Sequence, residues 1–162
     1  MPDVDPTEES RHAPSQIRVK AMLVIPHPDT PSHLVSAHAP TLENPRGFHR
    51  LIGGSVEFGE THREAIVREV EEELGARITD LTYLDTVESL FRSDGERGHE
   101  IVALYSGGLD PSPGEHGGSL TESDGSVVPV VWRPIDAETD AVPLYPAAAE
   151  RLVRSVLTRN AR

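Results

Sequence analysis

The chain has 162 residues, 15 of them basic and 27 acidic, for a formal charge of −12. That length fits one domain able to bury a core, and that charge excludes nucleic acid and anionic membranes as partners, because no basic run stands apart from it. The chain has no cysteine, so neither a disulfide framework nor thiol chemistry is available, which suits a cytoplasmic protein; no apolar run approaches the ~18 residues of a membrane span.

Residues 1–15 are polar, proline-bearing and without period, and are expected to be a disordered tail ahead of a single domain over 16–162. Ile17 to Ile25 alternates and then becomes continuously apolar, as a strand entering the middle of a sheet does. Pro26 to Pro31 is turn material, His33 to Ala39 a return strand, and Phe48 to Ile52 a short strand delivering the chain to Gly53 and Gly54. Beyond a central helix, Ile78 to Phe91 reads as a strand with a break near Asp85, turned at Ser93 to Gly98 onto Glu100 to Tyr105. Gly107 to Ser126 reads as a long loop, functional or disordered. Val127 to Trp132 is a last strand, and Ala149, Leu152, Val153, Val156 and Leu157 give Pro146 to Thr158 the spacing of a helix packed on the sheet. Strands flanked by two amphipathic helices make an α/β domain.

The central stretch, Gly53 to Ala76, carries the chemistry. Thr61 and Glu64 form a capping box, and Gly75 follows the last turn where a left-handed residue is expected, so the spacing predicts a helix over His62 to Leu74. At ~100° per residue, Ile66, Val67, Val70 and Leu74 share an apolar arc, while Glu69, Glu72 and Glu73 share another with Ala65. Those three acids sit where the helix dipole prefers cations, and Glu69 has Glu73 at i+4. On a solvated face such a pair costs only about 0.2–0.5 kcal/mol. In a partly enclosed site, two charges ~6 Å apart at an effective dielectric of ~20 repel by roughly 3 kcal/mol. A divalent cation reverses that sign, and carboxylate oxygens suit Mg²⁺, Ca²⁺ or Mn²⁺.

An acid-rich helix alone is commonly a solvated face; the larger pattern decides against that. Gly54, five residues, Glu60, seven residues, then Arg68-Glu69-Val70-Glu71-Glu72-Glu73-Leu74-Gly75-Ala76 resembles the Nudix box, G-x5-E-x7-R-E-U-x-E-E-x-G-U, with Ala76 in place of the last aliphatic. The resemblance implies an α/β/α sandwich with a mixed sheet between the box helix and the C-terminal helix. It also implies Mg²⁺-dependent hydrolysis, with Mn²⁺ as the substitute, of a diphosphate linkage in a nucleoside diphosphate derivative. The substrate would then be a small anionic nucleotide: a nucleotide sugar, dinucleoside polyphosphate, dinucleotide or nucleoside triphosphate. The other reading within the family is a nucleotide-sensing module without turnover. The fold's isoprenoid isomerase branch needs a catalytic cysteine, which this chain lacks.

By position in the box, Glu69, Glu72, Glu73 and the Gly53 carbonyl resemble the metal ligands. Glu69 is also the candidate base, and Arg68 with Glu60 resembles the pair that orients helix and loop, beside the structural Gly54 and Gly75. Some relatives take a further base or ligand from beyond the box, and Glu100 stands best by chain order. Phe48 and Arg50 are candidates for holding base and phosphate. Ile52 stands where many relatives have proline, and neither the subclass-marking residues downstream of the box nor the coenzyme A and NADH signatures are present. A homodimer is left open.

Overall fold

The computed structural model describes residues 15–137 and 141–162; of the expected tail over 1–15, all but Ser15 lies outside them. The strands are β1 (Ile17–Val24), β2 (Ser32–His38), β3 (Phe48–Arg50), β4 (Ile52–Ser55), β5 (Arg77–Ser93), β6 (Glu96–Asp110), β7 (Gly118–Thr121), β8 (Val127–Pro134) and β9 (Leu144–Tyr145). The helices are α1 (His62–Leu74) and α2 (Glu150–Asn160), the latter entered through a 3-10 turn over Ala147–Ala149. The expected α/β architecture is present, with two mixed sheets: one in the order β4-β1-β6-β5, the other β7-β8-β2-β3-β9.

β1 explains the layering. Ala21, Leu23 and Ile25 join a core with Ala65, Ile66 and Val70 of α1. Met22 and Val24, on the opposite face, join a second core with Val153, Val156 and Leu157 of α2. A strand buried on both faces must be apolar without alternation, which is how Ala21 to Ile25 read. α1 therefore lies on one side of the sheets and α2 on the other.

Three expectations are revised. The strand over Phe48 to Ile52 is split at Leu51, so that β3 pairs with β2 and β9 while β4 pairs with β1. The break near Asp85 is a pair of register shifts within one continuous strand. The supposed loop over 107–126 holds the end of β6 and all of β7, which pairs with β8 through Gly118↔Val130 to Thr121↔Val127.

Candidate active site

α1 begins and ends where its local chemistry puts it. The Thr61 hydroxyl accepts from the Glu64 amide at 3.1 Å, and the Glu64 carboxylate accepts from the Thr61 amide at 2.8 Å. Gly75 closes the helix at φ 61, ψ 28, donating to the Glu71 carbonyl. Ala65 is fully buried and Val67 is 44% exposed, so the buried arc is rotated toward the acids relative to the expected one. The consequence is functional: the edge of the helix carrying Glu69 and Glu73 faces protein, not bulk water.

Gly54 seats Glu69. A Cβ on Gly54 would stand 2.5 Å from both Glu69 carboxylate oxygens, so only a residue without a side chain admits that carboxylate against β4. The Glu69 side chain is 15% exposed and accepts from Arg68 Nη1 at 3.0 Å. Arg68 organises the whole loop. Its Nε and Nη2 grip Glu60 at 2.7 and 2.9 Å, Nη2 also donates to the Ser55 carbonyl at 3.0 Å, and Nη1 reaches Glu72 at 3.2 Å. The guanidinium holds the Glu60 carboxyl down at about 2. Arg68 and Glu60 thus tie the helix to the loop before it. Glu72 is the outlying acid, its side chain 61% exposed.

Glu73 is different. Burial pushes its carboxyl up to about 8, and the charges of Glu69 and Glu122 push the same way against Arg50 and Lys20. Glu122 belongs to the turn between β7 and β8, and sequence reasoning missed it. No spacing marks it, since only the β7–β8 pairing carries that turn to α1. Among the described residues no three acid or imidazole side chains are grouped so as to hold a metal ion as they stand. The donors are nonetheless hard oxygens, and burial first, then the charges of Glu69 and Glu122, disfavours the charged form of Glu73, a cost that a divalent cation would relieve.

Glu100 pairs with cations of β1. The parallel β1–β6 register sets it opposite Arg18, and its Oε1 lies 3.0 Å from Arg18 Nη2 and 4.0 Å from Lys20 Nζ. It is buried at the wall of a neighbouring cleft of about 240 Å³, where Arg18 is its ion-pair partner.

That cleft opens between the first sheet and β3–β9, and both expected substrate contacts, Phe48 and Arg50, line it. Tyr145 packs edge-on to Phe48, ring centroids 5.4 Å apart, and tilted against Phe91 at 6.4 Å. The far end of the Phe91 ring lies against Gly98, where a side chain would collide with it. Arg18, Lys20, Arg50 and Arg92 make the lining basic within an acidic chain. Next to the lining residues Asn44 and Ser93 two loops are clasped: the Glu43 carboxylate accepts from the Asp94 and Gly95 amides at 2.8 and 2.9 Å, and Asp94 accepts from the Leu42 amide at 3.2 Å. Tyr105 and Trp132 lie elsewhere, Tyr105 against His62 and Trp132 donating to the Gly114 carbonyl.

A family model described as NUDIX domain matches residues 18–154. A Mycobacterium tuberculosis protein designated mutator protein MutT4 is 37% identical over 82 residues, 51% of this chain and 31% of its own length. An 8-oxo-dGTP diphosphatase of Proteus vulgaris is 37% identical over 59 residues, 36% of this chain and 53% of its own length. The chain thus spans about a third to a half of the curated relatives it matches. The crystal structure of a MutT NUDIX hydrolase from Burkholderia pseudomallei superposes with a TM-score of 0.60 at 24% identity, covering 87% of this chain and 98% of that one. Likeness at that identity speaks to the fold.

Proposed function

The chain belongs to the NUDIX family, and on that premise we propose that it hydrolyses a phosphoanhydride bond in a nucleoside diphosphate derivative with the aid of a divalent cation, Mg²⁺ or in its place Mn²⁺. The observation that carries this reading is the seating of Glu69 on Gly54, with the charges of Glu69 and Glu122 both felt at the part-buried Glu73. Glu69, Glu72, Glu73 and the Gly53 carbonyl would hold the cation, with Glu122 as an added acid. Bound there, it would neutralise phosphate oxygens and acidify water.

The chain's own residues supply the rest. Arg68 fixes Glu69 without enclosing it, since Nη1 touches one carboxylate oxygen, and the other is left to accept a proton from water. The cleft takes the organic part of the substrate. Its about 240 Å³ is below the ~300–1,000 Å³ of drug-sized pockets, which suits one flat ring system beside Phe48, Phe91 and Tyr145 with the phosphates outside. Arg50 lies between the two regions: it lines the cleft and its charge reaches Glu73.

The name of the Proteus vulgaris relative makes 8-oxo-dGTP and dGTP the first substrates to try, followed by nucleotide sugars, dinucleoside polyphosphates, NADH and ADP-ribose. The test is phosphate and pyrophosphate release with and without Mg²⁺, in wild type and Glu69→Gln. Turnover that needs Mg²⁺ and vanishes in a folded Glu69→Gln protein is the expected result. Uniform inactivity of the wild type would make the chain a nucleotide-binding module, and near-wild-type kcat in Glu69→Gln would remove Glu69 from the mechanism.

A further inference from the structure

Of the 15 basic residues only one, Lys20, is lysine. It is also buried, 8% exposed, on a strand whose neighbour on the same face is Met22. Burying an ammonium is costly unless it is closely paired and hydrogen-bonded, and arginine serves everywhere else in this chain. Neutralising Glu100 does not account for it, because Arg18 already makes the close ion pair at 3.0 Å while Lys20 Nζ stands at 4.0 Å.

Lys20 sits where the two halves of the site meet. Nζ donates to Ser55 Oγ at 2.9 Å, one residue beyond Gly54, and its charge is felt by both Glu69 and Glu73. The same side chain lines the aromatic cleft. An ammonium has three N–H donors, and one is spent on Ser55. We propose that Lys20 is a catalytic residue that binds the diphosphate itself, donating to phosphate oxygens where the substrate passes from the cleft to the box helix. This rests on the hydrolase reading above. A compact point charge with rotating donors can follow oxygens that shift during phosphoryl transfer.

Lys20→Met keeps the stem and removes the charge. With Mg²⁺ and any substrate the wild type cleaves, kcat falls ~10²-fold or more, while the melting temperature holds or rises. Lys20→Met combined with Glu100→Gln stays equally slow; recovery in the double variant would reduce Lys20 to a counter-charge for Glu100 and overturn the proposal. A covalent readout stands apart from turnover. Reductive methylation with formaldehyde can label only Lys20 and the N-terminal amine, and mass spectrometry separates them. α,β-Methylene-dGTP with Mg²⁺ protects Lys20 and not the terminal amine. Lys20→Met at wild-type kcat, or Lys20 methylated equally fast with and without the nucleotide, refutes the assignment and leaves the hydrolase reading standing. If wild type cleaves nothing, the hydrolase reading fails, and nucleotide protection of Lys20 alone then supports or sinks the contact.

Discussion

Gly54→Ala separates the position of a carboxylate from the stability of the fold. The new methyl would stand 2.5 Å from each Glu69 carboxylate oxygen, against an ordinary contact distance of roughly 3.5 Å, so the carboxylate must retreat by about 1 Å. The backbone gives no ground: Gly54 lies in β4, opposite Ala21 of β1. Its φ is not in the left-handed region, whereas Gly53 has φ +148 and backbone packed where a Cβ would be. Gly54→Ala therefore avoids the strain that would unfold a Gly53 variant. The Glu69 end group swings away instead, loosening its 3.0 Å bond from Arg68. Misplacing a catalytic group by 1 Å costs about 10²-fold, equivalent to roughly 2.7 kcal/mol of barrier. The assay is kcat at saturating Mg²⁺ and substrate, beside thermal melts and Glu69→Gln. The expected outcome is kcat down ~10²-fold with the melt little changed and no further loss on adding Glu69→Gln beyond that variant's own. A folded Gly54→Ala enzyme within twofold of wild type would show that the seat on Gly54 is not where Glu69 works.

Three other outcomes are expected. A carboxyl whose folded pKa lies above its unfolded value keeps a proton the unfolded chain gives up, so its contribution to stability is whole below 4.5 and is lost as pH rises toward the value of about 8 that burial, Glu69 and Glu122 impose on Glu73. Denaturant midpoints in EDTA should fall from pH 5 to pH 8, and Glu73→Gln or saturating Mg²⁺ should flatten the fall. Glu43→Ala opens the clasp beside the cleft, raising KM several-fold with kcat nearly unchanged; hydrogen exchange at the Asp94 and Gly95 amides should quicken, and exchange as slow as wild type would contradict it. Arg68→Lys keeps one charge but cannot hold Glu60, Glu69, Glu72 and the Ser55 carbonyl together, so kcat drops ~10-fold or more and the melt falls by several degrees, in contrast to Gly54→Ala.

The parts of the site that were legible in the sequence are those fixed by neighbours along the chain. The helix His62–Leu74 falls where it was expected because the Thr61–Glu64 box and Gly75 act within one turn of their own positions. What escaped was set by strand pairing. β7 sits in a stretch rich in glycine and serine with no apolar period, and it exists because β8 offers it a partner; Glu122 comes to the site with it. Glu100 lies in the expected strand, but its neighbour across the sheet, Arg18, is 82 residues away, and that register decides which cation the carboxylate meets. The rotation of α1 that buries Ala65 and exposes Val67 follows from which strands lie beneath it, a fact the helical period alone does not contain.

The same registers bind the two halves of the site into one device. In β1 the alternation sends Lys20 and Met22 toward the cleft and Ala21 and Leu23 toward α1. β4 answers residue for residue, Ser55 opposite Lys20 and Gly54 opposite Ala21. The ammonium and the seat of Glu69 are therefore adjacent rungs of one ladder. A slip of one residue would turn every side chain of β1 to the other face, removing Lys20 from the cleft and setting Ala21 in its place. Such a slip is strongly opposed, because the residues that would exchange faces are the buried ones of both cores. The placement of these side chains is thus secured by the apolar packing of both cores. An acidic chain of charge −12 can in this way hold one basic cleft against one acidic helix edge without either collapsing onto the other.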